Sequence, residues 1–405
     1  MQQKYLIFRA VFFIILFTPF SIFGKNIDLS KNVSHSKISI LTCDPGNEIY
    51  SLFGHSALRI ENSKNNLDLV VNWGLFEFSE NQFEFGYDFA KGRLHYFMGL
   101  QSMTNFIREY ARSKRGVRQQ VLNLNNKEKL KLLSLIEQNY RPENRSYRYE
   151  FFYDNCSSRI RDLLINVLGD ELEFNQSKKA NEFTFREIIH EYLKYNPWLE
   201  LGIDLVLGKK IDVLVNNHQL MFLPDNIESS LDDSFIRKKN GKINVVLSKQ
   251  TIINSLENKR SYNSILFISW ILFLTTLILI YFKKSKIFDI WSITNLFILG
   301  ILGMVLIFMW FGTNHQATKM NFNLLWASPF HFILILFLIK KNWGKFSFWF
   351  LSFSLIVIFI TVLFWFTLTQ EFNPFVKPII LQLSLIYYYY FKKCKIQVNL
   401  NKTSG

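Results

Sequence analysis

The stretch YDNCSSRIRDLL, residues 153–164, decides how the chain is read. Leu163, Leu164 and Val167 recur at helical spacing, so residues 157–168 are expected to form a helix with those side chains inward. Asp154 or Asn155 would cap it, which puts Cys156 where the helix opens. A thiol has an ordinary pKa of about 8.5 and reacts as the thiolate. The free N–H groups and macrodipole of a helix start favour that anion. N–H groups near residues 155–157, alone or with the Asn155 amide, would also suit the oxyanion of a tetrahedral intermediate. Against this stands the plainer reading of a free cysteine as a small buried hydrophobe.

Upstream, residues 38–42 read as a short strand, and DPGNEIYSLFG supplies turn residues before HSALRIEN, an alternating strand at 55–62. A polar turn at 62–66 leads into LDLVVNWGLFEF, residues 67–78, which completes a hairpin. More β-structure is expected around 93–100. A helix is expected over 127–138, with Leu130, Leu133, Leu135 and Ile136 as its buried face. His55, at the head of a strand, is a candidate base. Asn72, on the neighbouring strand, is placed to fix the imidazole tautomer. Both have structural readings too, as a core histidine and an edge-strand asparagine. Arg59, Arg159 and Arg161 either meet a phosphate or pair with carboxylates such as Asp162.

With 405 residues the chain exceeds one ordinary domain. Residues 1–24 carry Lys4 and Arg9 and then an apolar run, the pattern of a signal peptide or N-terminal anchor. Residues 25–262 mix polar and apolar residues as an exported globular domain would. Residues 263–391 are almost continuously apolar, with five segments near 264–282, 287–311, 324–339, 346–367 and 374–391 that could span a bilayer; residues 392–405 form a tail. Lys283, Lys284, Lys286, Lys340, Lys341, Lys345, Lys392, Lys393 and Lys395 lie at one set of ends, and only Lys319 and Lys377 at the other. That asymmetry predicts the globular domain outside and the C-terminus in the cytoplasm. The run Tyr387 to Tyr390 then reads as an aromatic belt at the cytoplasmic interface. The net charge of +15 invites nucleic acid. No basic helix with interleaved aromatics occurs on the globular part, so nucleic-acid binding is disfavoured. Three cysteines, Cys43, Cys156 and Cys394, make no disulfide framework. A Cys43–Cys156 bond would silence the site.

Four stretches in fixed order, TCDPGNEIYSLFGHSALRI (42–60), VNWGLFEF (71–78), PENRSYRYEFFYDNCSSRIRD (142–162) and MFLP (221–224), resemble the exported domain of the Lnb-type lipoprotein N-acyltransferases. TNHQATKMNFNLLWASPFH (313–331) resembles that family's membrane region. More broadly, a histidine ahead of an Asn-Cys pair resembles the circularly permuted papain-like enzymes, including the lecithin:retinol acyltransferase group. The resemblance implies an α+β permuted papain-like exported domain followed by an all-α polytopic membrane domain, in the inner membrane of a bacterium. It implies Cys156 as nucleophile, His55 as general base and Asn72 as the residue that orients the ring, where the acyltransferase group often has a second histidine. A phospholipid would be the acyl donor and the α-amino group of a lipoprotein's diacylglyceryl-cysteine the acceptor, with no cofactor and no metal. His315, Asn321 and Asn323, in the polar loop on the catalytic side, are candidate substrate contacts; the same polarity also suits a purely interfacial role. The competing readings are a membrane-tethered cysteine peptidase or cell-wall amidase, and a non-catalytic envelope sensor. Oligomeric state is not legible.

Overall fold

The computed structural model describes residues 28–76, 81–255, 265–341 and 343–403. The expected signal segment at 1–24 and the domain boundary at 262 lie outside the described residues.

Among the described residues the strands are β1 (Ser36–Cys43), β2 (His55–Asn62), β3 (Leu67–Phe76), β4 (His95–Ser102) and β5 (Val117–Leu122). They continue with β6 (Ser146–Arg148), β7 (Leu172–Glu173), β8 (Phe235–Lys238), β9 (Gly241–Asn244) and β10 (Val246–Ile253). Seven form one sheet in the order β10-β5-β1-β2-β3-β4-β6, every neighbour antiparallel; β7, β8 and β9 form a small second sheet. The expected hairpin is β2–β3, with Asn62 opposite Leu67. It lies in the middle of the sheet because β1, not another hairpin partner, covers the free edge of β2.

Helix α1 (Gln82–Lys91) precedes β4, and helices α2 (Met103–Arg112), α3 (Asn126–Tyr140) and α4 (Cys156–Leu168) cover this sheet. The pleat sends alternate side chains to opposite faces. Ile38, Ile40, Leu58, Ile60, Leu69 and Val71 pack under α3 and α4, while Leu41, Cys43, Ala57 and Val70 pack under Met103, Phe106 and Tyr110 of α2. Each fully buried aliphatic side chain contributes roughly 1.5–3 kcal/mol, so a strand buried on both faces anchors both layers. In α3 the buried face is Leu132, Leu133 and Ile136; Leu130, expected inside, is exposed. The helix is rotated so that Leu132 takes that place. Helices α5 (Phe185–Leu193), α6 (Pro197–Val206), α7 (Asn217–Leu220) and α8 (Pro224–Asp232) complete the sheet-rich domain.

The helical domain comprises α9 (Ile265–Tyr281), α10 (Ser285–Phe311), α11 (His331–Lys340), α12 (Lys345–Leu363) and α13 (Val376–Thr403). Among the described residues only α10 and α12 are both long and apolar enough to cross a membrane unaided. The expected continuous segment at 324–339 is broken: a 3-10 turn at Phe322–Leu325 precedes an irregular stretch through Pro329, and α11 starts at His331. Ten residues at 1.5 Å each reach about 15 Å, half the bilayer core of about 30 Å. The irregular stretch is buried against protein, with Trp326 and Ala327 inside, as non-helical backbone at membrane depth must be. Gly303 of α10 permits this: a Cβ there would lie 2.6 Å from the Ala327 carbonyl oxygen and the Pro329 nitrogen.

This domain is apolar outside and partly polar inside. Phe267, Trp270, Leu274, Ile278, Phe353 and Phe359 are exposed, while Ser269, Thr276, Ser292 and Gln382 are buried. Trp291 Nε1 donates to Thr276 Oγ1 (2.9 Å) and Gln382 Nε2 to Asn295 Oδ1 (3.1 Å). Interhelical polar bonds of this kind hold helices together where lipid supplies no hydrophobic drive. Tyr387 and Tyr390, expected in an interfacial belt, are buried instead, bonded to His331 and Asp289. The helix α13 brings their face against its neighbours, and only Tyr388 of the four is strongly exposed.

The two domains meet along a polar seam. Asn321 Nδ2 donates to the carbonyls of Leu205 and Val206, and Asn323 Nδ2 to those of Asp204 and Leu205, at 2.7–3.2 Å. These groups are the open C-terminal carbonyls of α6, which need donors. Beneath them Arg186 is fully buried, held by Asp204 (2.9 Å) and Asp212 (2.7 Å). Asn373 Nδ2 reaches the other Asp204 oxygen (2.9 Å). A cavity of about 420 Å³ opens along this seam between α5 and residues 365–377, and neither Cys156 nor His55 lines it.

Candidate functional site

The first turn of α4 is built by Asn155. Its Oδ1 accepts from the N–H groups of Ser157 and Ser158 (both 2.9 Å), and Ser158 Oγ accepts from the Asn155 N–H (2.8 Å), a reciprocal capping box. Its Nδ2 donates to the carbonyls of Phe151 (2.6 Å) and Phe222 (2.7 Å). The MFLP motif thus supplies a wall and one acceptor for this cap. The amide is fully committed, so Asn155 is the cap and not a spare oxyanion donor. Of the N–H groups at 155–157, those of Asn155 and Ser157 are already donated, which leaves the Cys156 N–H for a ligand.

His55 enters from the sheet. Gly54 before it has φ +78, and a Cβ there would lie 2.7 Å from the Cys43 carbonyl oxygen, so only glycine turns the chain into β2 this closely. Ser56, next along, bonds Ser157 of α4 through their hydroxyls (2.9 Å), both fully buried. That bond ties the histidine strand to the cysteine helix. His55 Nε2 bonds Asn72 Oδ1 (3.1 Å), as the sequence reading expects. The structure therefore brings Cys156, His55, Asn72 and Asn155 together.

Electrostatics distinguishes the thiols. Burial works against a thiolate at Cys156, but the charge and hydrogen bond of His55, then the Ser56 N–H and the Ser157 hydroxyl, overcome it and hold the thiol below its ordinary value. Burial likewise works against the His55 cation, and the charge and hydrogen bond of Cys156, with the Asn72 bond, outweigh it and raise the imidazole. Cys43, opposite His55 in the sheet, is fully buried and its thiol is pushed up to about 12. Depressed thiols mark reactive cysteines and raised ones inert positions. All three cysteines are free.

The surroundings are aromatic. Tyr96 stacks on Tyr149 (4.5 Å), Phe76 lies edge-on to Tyr96 (5.4 Å) and Tyr50 to Phe76 (6.4 Å). Burial first, and among other charges that of Cys156, raises the phenols of Tyr147 and Tyr149, so both lie within its electrostatic reach. The sequence reading missed these tyrosines, along with Ser56 and Ser157, although two of them stand in the SYRYEFFYDNC run. The three arginines are paired: Arg59 with Asp68, Arg159 with Asp154, Arg161 with Asp162.

His315, Asn321 and Asn323 lie away from the thiol's own bonds. His315 Nε2 donates to the Phe89 carbonyl (3.1 Å), and the two asparagines hold α6 as described. These contacts join the membrane-side loop to the sheet-rich domain. One cluster, His190, Glu200 and Asp204, has metal-like spacing. Asp204 already binds Arg186 and His190 there, so a cation would have to displace a guanidinium.

Residues 25–192 match the family model of the Lnb N-terminal periplasmic domain, and residues 258–396 match that of the Lnb transmembrane domain. No curated protein and no solved structure matches the chain.

Proposed function

The chain belongs to the Lnb family, a periplasmic domain joined to a membrane domain, and from that premise we propose that it is a lipoprotein N-acyltransferase with a Cys156–His55 site. The observation that carries the reading is a cysteine at a capped helix start, coupled to a histidine that an asparagine holds from behind. A histidine-bearing strand ahead of a cysteine-bearing helix also supports a permuted papain-like fold for the periplasmic domain.

In the first half-reaction His55 takes the Cys156 proton and the thiolate attacks an ester carbonyl of a phospholipid. The Cys156 N–H faces the oxyanion. The C–O bond then breaks, His55 returns the proton to the departing oxygen, and a lysophospholipid leaves an acyl thioester. In the second half-reaction the neutral α-amino group of a diacylglyceryl-cysteine attacks the thioester. About a tenth of such amines are neutral at pH 7. His55 accepts the amine proton, the thiolate departs, and the product is an amide. The aromatic wall of Tyr50, Phe76, Tyr96 and Tyr149 offers the apolar surface an acyl chain needs.

The loops at 312–330 and 364–375 touch the periplasmic domain, and the lysine-rich ends lie opposite. This supports a C-terminus in the cytoplasm of a bacterium, with the protein in the inner membrane. The test of the activity is incubation of the purified protein with a phospholipid and a diacylated lipopeptide, followed by mass spectrometry. N-acylated lipopeptide should form, and should be absent for Cys156→Ser and His55→Ala; full activity in Cys156→Ala would overturn the assignment.

A further inference from the structure

Behind Asn72 the hydrogen bonds continue. Asn72 Nδ2 donates to Gln101 Oε1 (3.3 Å), and Gln101 Nε2 donates to Glu109 Oε2 (3.1 Å). The sheet register explains the row. Asn72 lies opposite Ala57 on β2 and Gly99 on β4, so His55 and Gln101 are its diagonal neighbours on the same face. That face lies over α2. Ser102 ends β4 and caps α2, accepting from the Asn105 N–H (3.3 Å), so Glu109 stands two turns into the helix, back over Gln101.

The direction of this row is set at its far end. A carboxylate at neutral pH only accepts hydrogen bonds, whereas a carboxamide has one accepting and one donating end. Glu109 therefore takes the NH2 end of Gln101. The oxygen of Gln101 must then face Asn72 and take its NH2 end, which turns the Asn72 oxygen toward His55. An oxygen at Nε2 requires a proton there, so neutral His55 keeps its lone pair on Nδ1 for the Cys156 proton. Without the carboxylate both amides are free to flip together, and the Asn72 NH2 would then meet Nε2 and favour the wrong tautomer.

We propose that Glu109 is a positioning residue that, through Gln101 and Asn72, fixes His55 in the Nε2–H tautomer. The functional part of this inference rests on the reading of His55 as the base for Cys156; the tautomer itself does not. Glu109 is exposed and Gln101 partly buried, so Glu109→Gln leaves the core untouched. A serine protease whose orienting group forces the wrong tautomer loses about 10⁴ in turnover. Here the flipped arrangement competes with the native one, and a loss of roughly tenfold is expected.

The experiment uses full-length protein with 15N-labelled histidine in the Cys156→Ala background at pH 8, where no thiolate holds the ring protonated. The His55 signals are assigned by their loss in His55→Ala. They should report Nε2–H with Glu109 present and move toward Nδ1–H in Glu109→Gln. The exchange variant Gln101→Glu/Glu109→Gln again presents a carboxylate to the Asn72 NH2 and should restore both the tautomer and, with Cys156 intact, acyl transfer to within about twofold. An unchanged tautomer in Glu109→Gln overturns the proposal even where acyl transfer needs Cys156 and His55. A tautomer shift in a protein that transfers no acyl chain upholds the relay and refutes the acyltransferase reading instead.

Discussion

Replacing Asn155 by alanine separates a helix cap from an oxyanion donor. The side chain is 2 % exposed and makes four hydrogen bonds, two accepted from Ser157 and Ser158 and two donated to Phe151 and Phe222. Loss of an N-cap costs about 1 kcal/mol, and each buried carbonyl left without a donor costs about 1–3 kcal/mol. With partial relaxation the total is roughly 3–5 kcal/mol. A domain of this size loses about 2–4 °C per kcal/mol, so the melting midpoint of the periplasmic domain should fall by roughly 6–20 °C in a thermal scan of detergent-purified protein. Asn155→Asp should be nearly as damaging, since its second oxygen would face two carbonyl oxygens where Nδ2 now donates. An oxyanion donor behaves differently: its loss costs about 10²–10³ in turnover with little change in stability. An Asn155→Ala protein that melts within about 2 °C of wild type while turnover collapses would refute the cap assignment.

Alkylation of Cys156 by iodoacetamide, followed by peptide mass spectrometry against pH, should show the thiolate forming below the ordinary thiol range. His55→Gln should move that curve to higher pH, because the imidazole is what outweighs burial in lowering it. Cys43 should stay unlabelled in the folded protein. Arg186→Met leaves Asp204 and Asp212 buried without their cation and should destabilise the protein by about 3–5 kcal/mol, read as a lower melting midpoint. Gly303→Leu drives a side chain into the Ala327–Pro329 backbone; it should cost at least about 1–3 kcal/mol and broaden the size-exclusion peak, whereas Ile301→Leu on the exposed face of α10 should not.

The parts of the fold that were legible in the sequence are those whose signals are local. HSALRIEN and LDLVVNW alternate around a polar turn, and Asn155 ahead of an apolar repeat announces α4. Strands β5 and β10 were not expected. VRQQVL carries two glutamines that look solvent-facing, yet Gln119 and Gln120 are buried and bonded to Ser39 and Asp232. Their partner strand lies more than a hundred residues downstream, so no short-range pattern announces the pairing. The cysteine and histidine were legible because one opens a helix behind a capping asparagine and the other heads a strand, and the orienting asparagine because it lies on the next strand of the same hairpin. Gln101 and Glu109 were not, since their part depends on register across three strands and the direction of α2. Polarity at 315–323 is visible in sequence, but the open carbonyls of α6 that Asn321 and Asn323 meet are not.

The proposed transfer requires an acyl chain carried by Cys156. Intact-mass analysis of the purified protein given phospholipid but no acceptor measures this directly. The mass should rise by one acyl group, fall back on treatment with hydroxylamine, and fall back equally on addition of a diacylated lipopeptide, with the same acyl group appearing as an amide on the lipopeptide. Cys156→Ala should show none of these changes. Transfer to the lipopeptide by Cys156→Ala, or a stable adduct on wild type that the lipopeptide never discharges, would contradict the account.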